Sequence, residues 1–168
     1  MHYLNCFFVY SILGYILETI VALATGTNFK SGILNGCWTP VYGVGAVTIL
    51  FVSEYLFKNL HMNRVWETVI VFFVVAIVLS TLEALGGVLI EKIFGISFWD
   101  YNSHKYHIGK YISLEMTITW GIASVIFIYL IHPLLKALIQ KIPLWVTILL
   151  LILFVADSTK TFFDKKKS

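Results

Sequence analysis

Five stretches of this chain are each long and apolar enough to cross a lipid bilayer, and no other feature constrains its fold as strongly. A hydrocarbon core about 30 Å thick takes roughly 20 helical residues at about 1.5 Å rise each. Runs of that scale extend from about Tyr3 to Ala24, Cys37 to Phe57, Val65 to Ile90, Ile112 to Ile131 and Leu144 to Thr159. The connections are Gly26 to Gly36, Lys58 to Arg64, Glu91 to Tyr111 and His132 to Pro143. A soluble alternative fails on composition. The chain is 59% hydrophobic and 12% charged, against roughly 45–50% and about 25% in soluble domains, so too few charges remain to coat a globule. The expected fold is all-α: a polytopic membrane helix bundle in which residues 1–168 form a single integral membrane domain.

Two spans carry weaker signals. Pro40, Gly43 and Gly45 interrupt the second, so a re-entrant or broken segment at Asn35 to Gly45 is one option and a Pro-led helix start with glycine packing the other. The fifth is short unless Trp145 and the terminal lysines mark its interfaces. The first resembles a signal peptide at Ala22-Leu23-Ala24, but no Lys or Arg precedes it and Glu18 falls inside what would be the apolar region. The 12 Lys and Arg residues set an orientation. Eight lie in the first connection, the third connection and the tail, and four in the second and fourth connections. The positive-inside rule then places the amino terminus outside and the carboxy terminus in the cytoplasm.

Ionisable groups within spans are expensive, roughly 2.5–3.5 kcal/mol each at a helix centre, and so are informative. Ser11, Gly14 and Glu18 share one face of the first helix. In the third, Ala76, Ser80, Glu83, Gly87 and Glu91 form a small-and-acidic stripe that should face the protein interior. The fourth has Glu115 and Thr119 one turn apart, and Ser113, Thr117, Trp120 or Gly121 and Ser124 on another semipolar face, before His132-Pro133 ends it. Asp157 lies near the end of the fifth. These groups either lock helices together, with Gly14 and Gly87 as packing positions, or line a polar path for a substrate, ion or proton. Two connections add candidates: Asn35 to Gly45, with Pro40 and Tyr42, and Ser97-Phe98-Trp99-Asp100-Tyr101-Asn102. In the latter an aromatic belt accounts for Trp99 and Tyr101, and a turn or cap for Asp100.

Other chemistry is missing from these residues. There is no GxxxxGK[ST] phosphate loop, GxSxG elbow or HExxH zinc helix, and no cofactor or metal set is expected. Cys6 and Cys37 read as buried thiols, and His61, His104, His107 and His132 as solvated or interfacial. The short cluster of terminal lysines suits a membrane surface and not a nucleic acid. No internal repeat is apparent.

The pattern Tyr10, Ser11, Leu13, Gly14 and Glu18 is followed by Gly32-Ile33-Leu34-Asn35-Gly36, Pro40, Tyr42, Gly43 and Gly45. Leu82-Glu83, Glu91-Lys92, Phe94-Gly95, Trp99-Asp100-Tyr101, Trp120-Gly121, His132-Pro133, Pro143 and Asp157 complete the series. In this order and across nearly the whole chain, it resembles the small bacterial membrane proteins of the type IV, CmpB-like ABC-transporter permease family. The resemblance implies a permease-like subunit in the bacterial cell membrane, with ATP hydrolysis supplied by a separate chain. It departs from the family at Asn102, which takes a serine position, and at Glu115, where an uncharged residue is expected. The Glu-Ala-Ala coupling loop of importers is absent.

The leading expectation is therefore a permease subunit in a homo-oligomer or with another membrane subunit. Its substrate-path or functional candidates are Glu18, Asn35, Pro40, Tyr42, Glu83, Glu91, Trp99, Asp100, Tyr101, Trp120, His132 and Asp157. A membrane-embedded enzyme acting on a lipid-linked substrate and a non-transporting assembly subunit are the alternatives.

Overall fold

The computed structural model describes residues 1–26, 34–59, 62–95, 97 and 99–167, and the side chains of 165–167 are left aside. Gly32, Ile33, His61 and Phe98, named above, lie outside the described residues. The described residues are all-α apart from one small hairpin: α1 (His2–Thr25), α2 (Pro40–Asn59), α3 (Arg64–Phe94), β1 (His107–Ile108), β2 (Ile112–Ser113), α4 (Leu114–Ile126), a π turn (Phe127–Ile131), α5 (His132–Gln140) and α6 (Leu144–Lys167). Among the described residues five helices are long and apolar enough to span a membrane, the fourth running continuously from Leu114 to Gln140.

Local chemistry explains most boundaries. Gly26 and Gly95 end α1 and α3 in the left-handed conformation, with φ of 65° and 68°, where a Cβ would be strained. Asn63 caps α3 by accepting the Trp66 N–H, and Ser113 caps α4 by accepting that of Met116. Pro40 begins α2, where its missing N–H costs nothing. The helix then runs unbroken through Gly43 and Gly45, so within the 35–45 segment the irregular backbone is limited to residues 35–39 and the Pro-led start is the option adopted.

The fourth span corrects the expectation that His132-Pro133 terminates it. A proline ring clashes with the carbonyl four residues earlier, and the wider π turn directly before Pro133 makes room for it, so the helix continues for another nine residues. His132 is correspondingly buried, 8% exposed, and stacked on Phe127 with centroids 5.9 Å apart. It is not solvated. Cys37 is exposed, contrary to the expected buried thiol, while Cys6 is buried; both are free.

The chain divides into two compact units, Met1–Val47 with Leu134–Ser168, and Thr48–Pro133. The first has an aromatic core in which Phe7, Phe8 and Trp38 each meet the Phe154 ring edge-on, at 5.3, 5.9 and 5.7 Å. A buried hydrogen bond from Thr147 to Asn5 Oδ1 (2.6 Å) ties α6 to α1. In the second unit α3 packs along α4. Val71, Val75, Ala76, Leu79 and Ser80 are buried there, and Phe72 lies where a Cβ on Gly121 would fall, 2.6 Å from it. Of the small-and-acidic stripe, Ala76, Ser80 and Gly87 are buried, while Glu83 and Glu91 are partly exposed.

Candidate functional site

Each unit holds a polar cluster built around a helical carboxylate. In the first, Asp157 on α6 accepts two hydrogen bonds on Oδ2, from the Gly36 backbone N–H (2.9 Å) and the Trp38 indole N–H (2.8 Å). One turn further, Thr161 accepts from the Asn35 side-chain amide (3.0 Å). Residues four apart share a helix face, so Asp157 and Thr161 together fasten the 35–38 segment just before α2 begins. Thr39 N–H then donates to the Ser11 carbonyl (3.0 Å). Gly14 lies directly beneath the Tyr42 ring, leaving no room for a side chain, and Tyr42 is hydrogen-bonded to Glu18. Glu18, Asn35, Pro40, Tyr42 and Asp157 therefore all belong to this cluster or adjoin it. Trp38, Gly36 and Thr161 are the members that sequence reasoning missed. Trp38 lay inside the segment already singled out, but its partner is 119 residues away.

The second cluster is centred on Glu83 of α3. Its Oε1 accepts from the Tyr101 hydroxyl (2.6 Å) and its Oε2 from the Trp120 indole N–H (2.8 Å). Two turns along α3, Glu91 pairs with the Lys110 ammonium and accepts from the Tyr111 hydroxyl (2.6 Å). Tyr111 packs over Gly87, where an added Cβ would come within 2.6 Å of its ring. Trp99 meets Tyr111 edge-on at 5.9 Å. The β1–β2 hairpin, pairing His107 with Ser113 and Ile108 with Ile112, presents Lys110 and Tyr111 to Glu91. Its signal was Gly109 in a short loop between Ile108 and Ile112, with φ of 61°.

Asp100 stands outside this network. It is exposed and accepts the Asn102 N–H (2.8 Å), the turn role that its residue type allows. Glu115 on α4 lies 3.5 Å from His104 Nδ1. His132 belongs to the packing around Phe127.

Two groups outside the spans have displaced ionisation. Burial first, then the bond to Glu83, holds the Tyr101 phenol above its ordinary range. The bond to Glu91 does the same for Lys110. Among the described residues no group of His, Cys, Asp and Glu is arranged to hold a metal ion. The arrangement has two carboxylates clamped by neutral donors and one paired with a lysine. It can fix backbone segments, bind a proton or present negative charge.

Residues 5–162 match the model of the family described as Putative ABC-transporter type IV (ABC_trans_CmpB). No curated protein and no solved structure matches the chain.

Proposed function

We propose that this chain, which belongs to the ABC-transporter type IV family, is the permease-like subunit of a membrane transporter. Its single membrane domain moves a substrate through an acid-bearing helical framework, and a separate P-loop ATPase supplies the energy. The observation that carries this reading is the combination of five apolar helices with hydrogen-bonded carboxylates within them, in residues that contain no phosphate-binding loop. The substrate-path residues of the proposal are Glu18, Asn35, Pro40, Tyr42 and Asp157 in the first unit. In the second they are Glu83, Glu91, Trp99, Tyr101 and Trp120. The 35–45 segment, fastened at Asp157, is the proposed gate. The family resemblance implies a bacterial cell membrane, and the charge distribution favours an amino terminus outside and a carboxy terminus in the cytoplasm. The small size favours a homo-oligomer or another membrane subunit.

The test is purification of the tagged chain from its native membrane in mild detergent, followed by native mass spectrometry. Co-purification of a P-loop ATPase whose hydrolysis depends on this chain is the expected result. A lone chain or homo-oligomer carrying a reproducible lipid would overturn it in favour of lipid chemistry.

A second reading, a non-transporting assembly subunit, draws on one observation: both oxygens of Glu83 and one of Asp157 are occupied by internal donors. Under it, Glu83→Gln and Asp157→Asn would dissolve a complex without a separate transport defect. Under the permease reading the complex persists and flux falls.

A further inference from the structure

The hairpin between α3 and α4 exposes apolar side chains where no helix accounts for them. Most exposed large apolar residues of this chain lie on the spans, where lipid tails cover them; Tyr106 (58% exposed) and Ile108 (75%) lie on the connection instead. Exposed apolar groups beside polar ones mark a protein or membrane contact, and the position of these two selects the membrane. The N–H of Leu114, the first residue of the fourth span, donates to the Tyr106 carbonyl (2.9 Å). Next to it, His107 pairs with Ser113, which caps the same helix. The first strand is therefore tied to the point at which the chain enters the bilayer, the level at which tyrosine rings concentrate. Lys110 and Tyr111 fasten the loop of the hairpin to Glu91, so the exposed side chains stand on a fixed scaffold.

The charge of the hairpin selects the lipid. No Asp or Glu occurs from Tyr101 to Leu114. The acids around that stretch have partners of their own: Asp100 accepts the Asn102 N–H, Glu115 lies beside His104, and Glu91 takes Lys110. Lys105 is exposed, makes no ion pair among the described residues, and stands 5.4 Å from the centre of the Tyr106 ring. A cation held on an aromatic ring at the bilayer surface is drawn to net negative headgroups. We propose that the β1–β2 hairpin binds anionic phospholipid, with Tyr106 and Ile108 inserted at the interface and Lys105 paired with the headgroup. The proposal rests on the membrane fold and does not depend on the chain being a permease.

A spin label on Ile108→Cys, in a Cys37→Ser background, tests it. The purified full chain is reconstituted in phosphatidylcholine alone or in an equimolar mixture with phosphatidylglycerol, with unchanged helical content checked by circular dichroism. Collisions of the label with oxygen, which dissolves in lipid, are compared with those of a nickel chelate, which stays in water. The oxygen-to-nickel ratio should rise severalfold in the anionic bilayer. Lys105→Glu should return it to the phosphatidylcholine value, and Lys105→Arg should keep it high. A label open to nickel in both bilayers, or a lipid signal indifferent to lipid charge and to Lys105→Glu, would overturn the proposal. So would a label shielded from both probes, which would put protein and not lipid on the hairpin. Because the readout involves no ATPase and no flux, its failure is distinct from failure of the transport reading.

Discussion

The two units solve one chemical problem at very different distances along the chain. Each clamps a helical carboxylate with a tryptophan indole and a second donor. Around Glu83 the partners are 18 and 37 residues away, and around Asp157 they are 119 and 121 away. Closing a loop costs entropy that grows with its length, so the second unit can assemble its cluster early from neighbouring segments. The first must wait until α6 meets the start of α2. The donors differ as well. The Gly36 N–H is fixed in the backbone and needs its acceptor, whereas the half-buried Tyr101 hydroxyl can turn to water.

That contrast predicts unequal costs. Asp157→Ala strands a backbone N–H and an indole N–H, and hydrogen bonds to charged groups contribute about 1.5–3 kcal/mol each. With incomplete additivity we expect a loss of about 3 kcal/mol, read as a lower thermal midpoint in detergent. Glu83→Ala should cost less, about 1–2 kcal/mol. Equal losses would break the comparison, because they would mean that neither donor type nor chain separation matters.

Packing gives the next effect. Gly87→Val pushes a branched side chain into the Tyr111 ring, and overpacking typically costs about 1–3 kcal/mol. We expect about 2 kcal/mol, accompanied by displacement of Tyr111 from Glu91. Near-wild-type stability would mean that Tyr111 moves freely and that the Gly87 contact is incidental.

These residues also mark what the sequence made legible. The stripe from Ala76 to Glu91 could be read from helical periodicity because it lies on one continuous helix. Tyr101 and Trp120 were each singled out, but nothing in their spacing put both on Glu83, since that depends on how the 99–113 segment folds back. Asp157 was visible as an acid in an apolar span. Its partners were not, because pairing over about 120 residues leaves no local pattern. Pro133 was misleading for a different reason: a proline is a helix stop in sequence, and only the compensating π turn reveals that the helix goes on. Ionisable residues within apolar runs could be found, whereas the groups that satisfy them required coordinates.

A smaller effect sharpens the role of the flexible donor. Tyr101→Phe removes one hydrogen bond to Glu83 and leaves that of Trp120, so the expected loss is about 1 kcal/mol. The sign of its pH dependence follows from the raised phenol pKa. The neutral form is the one favoured by folding, so the contribution is complete below the ordinary value of 10.0 and is lost as pH rises through the higher folded value. The phenolate absorbance titration of the wild type should therefore contain one late-titrating tyrosine that Tyr101→Phe lacks; identical curves would contradict the geometry.

The smallest effect belongs to the Glu91–Lys110 pair, which separates ion pairing from the neutral clamps. Its side chains are 44% and 29% exposed, and exposed ion pairs are weak and screened by salt. Glu91 also keeps the Tyr111 hydroxyl as a donor when Lys110 is removed. Lys110→Met should lower the thermal midpoint slightly at low ionic strength and not at high ionic strength. Because the Lys110 pKa is raised, the pair's contribution is complete below 10.5 and disappears as pH climbs through the folded value, so wild type and variant should converge there. A deficit that persists at high salt would make Lys110 a packing residue of the hairpin. The second unit would then depend on a charged side chain much as the first depends on Asp157, and the contrast between them would narrow to chain separation alone.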